Sequence, residues 1–233
     1  MLISLNYAIF AMALVASFDL FRRDARFKSG AIHFLLFSLA ALFGGIAHHM
    51  QLEKPEVIQF IRHINLELNR EFHMSSFKYV YIRVWLVTFM LIGLTEYYFM
   101  KVFLYPVAER FSFNWLKKSL MISLIVFMLC SLLFSSYSIV VVYHVFTHLL
   151  VIGFSLYLIF KKDLKIFWLL IAMVCVNLLA GGIWALMANG SIPSGLLHYN
   201  DWYHLIIMLF IVALHWALTK GGLIQTLEKL KQA

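Results

Sequence analysis

Stretches of about 20 apolar residues, each long enough to cross the hydrocarbon core of a bilayer, recur along the whole chain. Seven can be placed, at approximately 3–21, 30–50, 79–99, 115–134, 139–160, 166–188 and 202–219. Inside a bilayer the backbone must satisfy its own hydrogen bonds, and an unbroken apolar run of this length does so as a helix. The sequence therefore predicts an all-α, polytopic membrane bundle of seven transmembrane helices, with residues 1–233 forming one domain.

Composition supports a membrane protein over a soluble one. Of the 233 residues, 63% are apolar and 13% are charged, far from the values typical of a soluble domain. We expect a multi-pass integral membrane protein of a plasma or inner membrane, in contact with membrane lipid. The net charge of +8 would suggest nucleic acid in a soluble protein, but here it follows from basic loops that fix topology, so we expect no nucleic-acid partner.

Basic residues concentrate in alternate connections between the spans. The connections after the first, third and fifth spans and the C-terminal tail are rich in Lys and Arg, whereas those after the fourth and sixth spans carry neither. By the positive-inside rule, this pattern predicts an outer N-terminus and a cytoplasmic C-terminus. The connection after the second span is mixed, because its basic residues are accompanied by glutamates.

That mixed connection has a helical pattern of its own. Pro55 suits a first helical position. Apolar residues follow it on one helical face, at positions 57, 61, 64, 68 and 72. We predict an amphipathic outer-surface helix at about 55–72, which either covers a cavity mouth or packs on the bundle.

Five histidines are predicted to lie towards the outer side of the spans. His48 and His49 end the second span, His144 and His148 lie in the outer half of the fifth, and His204 begins the seventh. An ionisable group in a membrane helix is costly, so it indicates a functional site by default. His144 and His148 are four residues apart and share a helix face, where both can bind one metal ion. These five are our candidate metal ligands, in one site near the outer face.

Other ionisable residues are given simpler roles. We expect His33 and His215, in the inner half of their spans, to form hydrogen bonds between helices. Asp19 and Glu96 are expected near inner span ends, where a carboxylate can reach the interface or pair with a basic residue, and neither is assigned a catalytic role. Two adjacent glycines, beginning at Gly44, lie just before the histidine pair of the second span. The glycine pair permits close approach of another helix.

Two short segments resemble motifs of a known superfamily. The Gly-Gly-Ile-Ala-His-His segment at 44–49 and the Asn-Asp-Trp-Tyr-His segment at 200–204 resemble those of the seven-helix membrane hydrolases that include alkaline ceramidases and the progestin and adiponectin receptors. The second segment is most similar to that of a bacterial branch. The resemblance implies a zinc ion held by histidines of the second and seventh helices. The chain differs where the superfamily has a serine before the second-helix histidine, the first of the paired seventh-helix histidines and an aspartate in the third helix.

The first functional hypothesis is metal-dependent hydrolysis of a lipid amide or ester. Three ligands, from His48 or His49, from His204 and from the fifth-span pair, would leave a fourth zinc position for water. Asp201 is the nearby carboxylate that we nominate as catalytic, although it also suits the N-cap of the last span. Whether the protein is an enzyme remains open at this point.

Two other classes of function fit the same residues. Histidines facing one another across helices can be axial ligands, so a b-type haem or quinone-linked electron carrier is one alternative. A non-catalytic membrane subunit, receptor or transporter, with the histidines in a polar network, is the other. Imidazoles of three helices converging on one point would favour zinc, whereas two opposed imidazoles flanking a slot would favour haem.

Overall fold

The described part of the chain is helical. The computed structural model describes residues 2–51, 74–134, 136–162, 164–188 and 199–232. In order, its elements are α1 (Leu2–Phe21), a short 3-10 helix (Ala25–Phe27), α2 (Lys28–Gln51), α3 (Met74–Arg110), α4 (Asn114–Phe134), α5 (Tyr137–Lys162), α6 (Phe167–Ala188), α7 (Tyr199–Thr219) and α8 (Leu223–Gln232). The prediction of an all-α fold is confirmed. The surface helix predicted at about 55–72 lies outside the described residues.

Five of the described helices are long and apolar enough to cross a membrane. Those stretches are Ala25–Met50, Val80–Arg110, Asn114–Phe134, Tyr137–Lys161 and Asp201–Thr219, and two shorter apolar helices lie at Leu5–Phe21 and Phe167–Ile183. Large apolar side chains also cover the outside of the bundle, as Val126 and Leu133 on α4 and Leu209 on α7 illustrate. A water-soluble monomer rarely exposes so much contiguous apolar surface, whereas a lipid-facing bundle requires it.

The helices pack as neighbours around a continuous apolar core. Helix α2 lies against α1 and α3, α5 contacts α3, α4 and α6, and α7 closes the bundle between α6 and α1. The close approach predicted at the glycine pair of α2 is confirmed, because a Cβ atom added at Gly45 would lie 3.2 Å from the Cβ of Asn6 and 3.2 Å from the Tyr7 ring. Helices α3 and α4 meet more closely still, since a Cβ atom at Gly93 would overlap the Phe127 ring.

One end of the bundle gathers charged residues. The 3-10 helix, the last turns of α3 and the amphipathic helix α8 surround a cavity of about 230 Å³, whose lining includes Arg26, Lys101 and Glu228. Helix α8 buries Leu223 and Leu227 of its apolar face. The connection from α1 to α2 and the C-terminal helix therefore lie at the same end of the molecule, which we call the basic end.

Candidate metal centre

Three ionisable side chains meet in a buried part of the bundle. They are Glu96 of α3 and His144 and His148 of α5, and one possible ligand atom from each lies within 4.8 Å of the other two. Glu96 is 7% exposed and His148 is 2% exposed, while His144 is half-buried. We call these three residues the Glu96 cluster. Its residues could hold a metal ion.

Helical periodicity brings both histidines to the carboxylate. His144 and His148 are four residues apart, so their side chains point to the same side of α5, with ring centroids 3.9 Å apart. Glu96 reaches both rings from α3. Its Oε1 atom lies 2.7 Å from His144 Nδ1 and its Oε2 atom lies 3.5 Å from His148 Nδ1. One carboxylate therefore bridges two imidazoles.

Thr147 orients the carboxylate of Glu96. Its hydroxyl lies 2.6 Å from Glu96 Oε2 and 2.8 Å from the backbone oxygen of His144, so it donates to one or shares its hydrogen between them. The Thr147 side chain is fully buried. A β-branched residue with a fixed hydroxyl restricts the rotamers open to Glu96, which keeps the carboxylate near both rings.

Helix α6 supplies a further polar contact to the cluster. Asn177, 3% exposed, places its Nδ2 atom 2.9 Å from His148 Nε2. The opposite side of the His148 ring environment is apolar, with the Phe99 ring stacked at 5.1 Å between centroids and 21° between planes. Both nitrogens of His148 thus have polar partners, while one face of its ring lies against an apolar side chain.

The donor set suits a cation better than a haem. Two imidazole nitrogens and one carboxylate oxygen are common ligands of zinc and related transition metals. The rings of His144 and His148 belong to one helix and their centroids are only 3.9 Å apart, which leaves no room for a porphyrin between them. The separation of 2.7 Å between Glu96 and His144 is that of a hydrogen bond, so these two residues would hold an ion in place of the shared hydrogen.

Two other predicted ligands, His49 of α2 and His204 of α7, contact neighbouring residues of α1. His204 Nε2 lies 3.2 Å from Asn6 Oδ1, and because that oxygen only accepts, the imidazole donates. The Tyr7 hydroxyl lies 2.9 Å from His49 Nδ1. We call Asn6, Tyr7, His49 and His204 the Asn6 cluster. The structure thus places these two histidines against neutral partners on α1, apart from the Glu96 cluster.

The remaining predicted site residues lie near the same end of α7 and α2. His48 packs edge-on against Trp85, with ring centroids 5.3 Å apart. Asp201 is 5% exposed, and its Oδ1 atom has no hydrogen-bond partner among the described residues. Because α7 begins at Tyr199, Asp201 lies inside the first turn rather than at the N-cap, where its charge still favours the positive end of the helix dipole. Its catalytic role stays a prediction.

The histidines to which we assigned structural roles form the expected contacts. His33 Nδ1 of α2 lies 3.0 Å from the backbone oxygen of Thr95 in α3. His215 Nε2 of α7 lies 2.9 Å from Asp19 Oδ2 of α1. Both predictions of hydrogen bonds between helices are confirmed.

The expectation for Glu96 is wrong. We predicted that the third span ends at residue 99, which would put Glu96 close to the interface, but α3 continues to Arg110 and Glu96 is buried within it. In the sequence, Lys101 and Pro106 suggest that the third span ends near them. The helix nevertheless runs through both, and Val102, Phe103 and Leu104 are buried beyond the lysine. That apolar continuation was the signal that could have placed Glu96 in the interior.

Comparison with known proteins assigns most of the chain to a family. A family model described as a family of unknown function (DUF6962) matches residues 1–222, which include α1 to α7 and every residue of both clusters. No curated protein and no solved structure gives a significant match. The chain belongs to the family of unknown function DUF6962.

Proposed function

We propose that this protein is a membrane-embedded zinc protein whose metal centre is the Glu96 cluster. The observation that carries the proposal is the convergence of one carboxylate and two imidazoles within 4.8 Å in a buried part of the bundle. Magnesium and calcium prefer all-oxygen sites, whereas a mixed nitrogen and oxygen set favours zinc. Two histidines and one glutamate are also the protein ligands of several catalytic zinc sites.

The reaction we propose is hydrolysis of a lipid amide or ester. A zinc ion with three protein ligands supplies a Lewis acid and an activated water. Within the chain, Thr147 would keep the Glu96 carboxylate in place, and Phe99 would keep water from one face of His148. The buried position of the cluster favours an amphiphilic substrate that enters from the bilayer with its acyl chain.

The resemblance to alkaline ceramidases and the progestin and adiponectin receptors supports the same reaction class. It suggests, however, ligands on the second and seventh helices, which correspond to His48 or His49 and to His204. Our proposal favours α3 and α5 because the Glu96 cluster includes a carboxylate in direct contact with an imidazole. The two positions are separable by mutation.

We further propose that the chain crosses the membrane seven times, with the N-terminus outside and the C-terminus in the cytoplasm. Five described helices have the required length, and the shorter apolar stretches of α1 and α6 would supply the other two. The positive-inside rule then puts the basic end in the cytoplasm. In a chain whose Cys130 and Cys175 are replaced by alanine, a single cysteine near residue 25 should resist an impermeant maleimide in intact cells. Rapid labelling of this cysteine would indicate the opposite orientation.

Metal analysis of detergent-purified protein tests the function. We expect about one zinc ion per chain and no Soret absorbance, and we expect hydrolysis of fluorogenic lipid amides or esters that a chelator stops and added zinc restores. A Soret band would favour the haem electron carrier instead. If the purified protein contains neither zinc nor haem, a non-catalytic membrane subunit, receptor or transporter would be favoured.

A further inference from the structure

We infer that Asn177 is a positioning residue that sets which ring nitrogen of His148 carries the hydrogen, and thereby prepares His148 to bind a metal ion. The effect on metal binding rests on the proposed zinc site, whereas the contacts between Asn177 and His148 do not depend on it. Asn177 is 3% exposed, and one of its two polar atoms contacts His148 while the other has no partner among the described residues.

The contacts of His148 define its tautomer in the metal-free protein. Its Nδ1 atom lies 2.9 Å from the backbone oxygen of His144, 3.3 Å from the Thr147 hydroxyl and 3.5 Å from Glu96 Oε2. A carbonyl and a carboxylate can only accept, so Nδ1 carries the hydrogen and Nε2 is the acceptor. Asn177 Nδ2 lies 2.9 Å from Nε2 and donates to it.

Metal binding requires the opposite tautomer. Nδ1 is the nitrogen that faces Glu96, so an ion shared with that carboxylate binds Nδ1, and the ring hydrogen must then reside on Nε2. Such a ring N–H needs an acceptor, as metal-bound histidines usually donate their second nitrogen to a carbonyl or carboxylate. The imidazole is neutral in both states, because the proton that Nδ1 loses to water is matched by one that Nε2 takes up from water, with no net release.

Asn177 can serve both tautomers because an amide has a donor and an acceptor at equal reach. A half-turn of the amide about its last side-chain bond exchanges Nδ2 and Oδ1, so that Oδ1 accepts from His148 Nε2. In the metal-free arrangement Oδ1 is buried without a partner, which is costly for a carbonyl oxygen. The unpartnered oxygen is therefore the acceptor that the metal-bound tautomer needs.

The Asn6–His204 pair offers a matched control. Here too an asparagine from one helix contacts Nε2 of a histidine on another, at 3.2 Å, but outside the Glu96 cluster. Parallel substitutions at Asn6 and Asn177 should therefore be alike in the loss of one helix-to-helix hydrogen bond and differ in their effect on the metal.

The first measurement is histidine-selective ¹⁵N NMR of metal-free protein, with His148→Gln used to assign the His148 signals. We expect the Nδ1–H form in the wild type. Asn177→Asp replaces the donor by an acceptor of the same shape, so it should move the hydrogen to Nε2, and Asn6→Asp should leave the His148 signals unchanged.

The second measurement is zinc affinity by competition with a chelator, together with the visible spectrum of the cobalt-substituted protein. We expect Asn177→Leu to weaken zinc binding about 10- to 100-fold and to alter the cobalt spectrum, as loss of an outer partner does elsewhere, while Asn177→Asp preserves binding. Asn6→Leu should change neither. Thermal unfolding of each variant shows which of them fold.

The outcomes separate the two proposals. Unchanged His148 signals in Asn177→Asp, or unchanged zinc affinity in a folded Asn177→Leu variant, would overturn the role of Asn177. A wild type that binds no zinc while Asn177→Asp still moves the hydrogen would overturn the metal site and leave the control of the tautomer standing.

Discussion

The Glu96 cluster and the Asn6 cluster both hold histidines between helices, yet they offer different chemistry. In the first, one carboxylate lies 2.7 Å and 3.5 Å from two imidazoles. In the second, the described contacts of His49 and His204 with α1 are to Tyr7 and Asn6, which are both neutral. An imidazole with a neutral partner is an ordinary contact between membrane helices, whereas a carboxylate with two imidazoles could hold a cation. The position of the carboxylate, more than the number of histidines, therefore distinguishes a candidate metal centre.

The largest expected effect separates the clusters directly. We expect His148→Ala to weaken zinc binding by more than about 100-fold, beyond the loss typical of an outer partner, because it removes a ligand. His204→Ala should leave zinc content unchanged. Elemental analysis of both purified variants checks this, and the reverse pattern would move the metal centre to the Asn6 cluster.

Glu96→Gln tests the carboxylate itself. The substitution keeps the shape of the side chain but removes its charge, and we expect a loss of zinc affinity of about 100-fold, since a neutral amide oxygen is a poorer zinc ligand. Asp19→Asn is the control, because it also neutralises a carboxylate bound to a histidine, but one that is 41% exposed in its side chain. An exposed ion pair contributes about 0–1 kcal/mol, so Asp19→Asn should leave zinc binding intact. Equal zinc affinity in the wild type and Glu96→Gln would remove the distinction between the clusters.

Substitution by alanine should destabilise the fold more at Gly93, near the Glu96 cluster, than at Gly45, near the Asn6 cluster. A Cβ atom at Gly93 would overlap the ring of Phe127, whereas one at Gly45 would lie 3.2 Å from its nearest neighbours. We expect Gly93→Ala to destabilise the fold by about 1–3 kcal/mol and to lower zinc content by displacing α3. Gly45→Ala should cost less than about 1 kcal/mol, since alanine also favours a helix. Thermal unfolding in detergent measures both, and equal stability losses would contradict the difference in packing.

The smallest effect is expected at an exposed carboxylate of the basic end. A hydrogen bond from Arg26 lowers the pKa of Asp24 below its ordinary value of 3.8. A carboxyl group with a lowered pKa in the folded state stabilises the fold above pH 3.8, and this contribution is lost as the pH falls through the lowered pKa. Asp24→Asn should thus cause a small fall in the unfolding temperature at neutral pH and slightly reduce the dependence of that temperature on pH below 3.8. A stability loss at pH 7 comparable to that of Gly93→Ala would show that this surface pair matters as much as the buried core.

Local pattern predicted some features of the site and missed others. His144 and His148 share one helix face because an α-helix has about 3.6 residues per turn, and their rings are indeed close. The sequence did not predict Glu96 as the partner of that pair, because Lys101 and Pro106 suggested that α3 ends near them. In the structure, packing of the apolar residues between and beyond these two positions extends the helix. A proline in a helix removes one backbone donor, and burial on neighbouring helices can outweigh that loss.

The sequence by itself determined that the described chain is helical and apolar on its surface. Each long apolar run must satisfy its backbone hydrogen bonds internally, and that requirement depends on residues close together in the chain. Only the tertiary structure decided that Glu96 meets His144 across 48 positions while His204 meets Asn6 across 198. Such contacts depend on how far each helix extends, how it is rotated and which neighbour it faces, and these are settled by side-chain packing between helices.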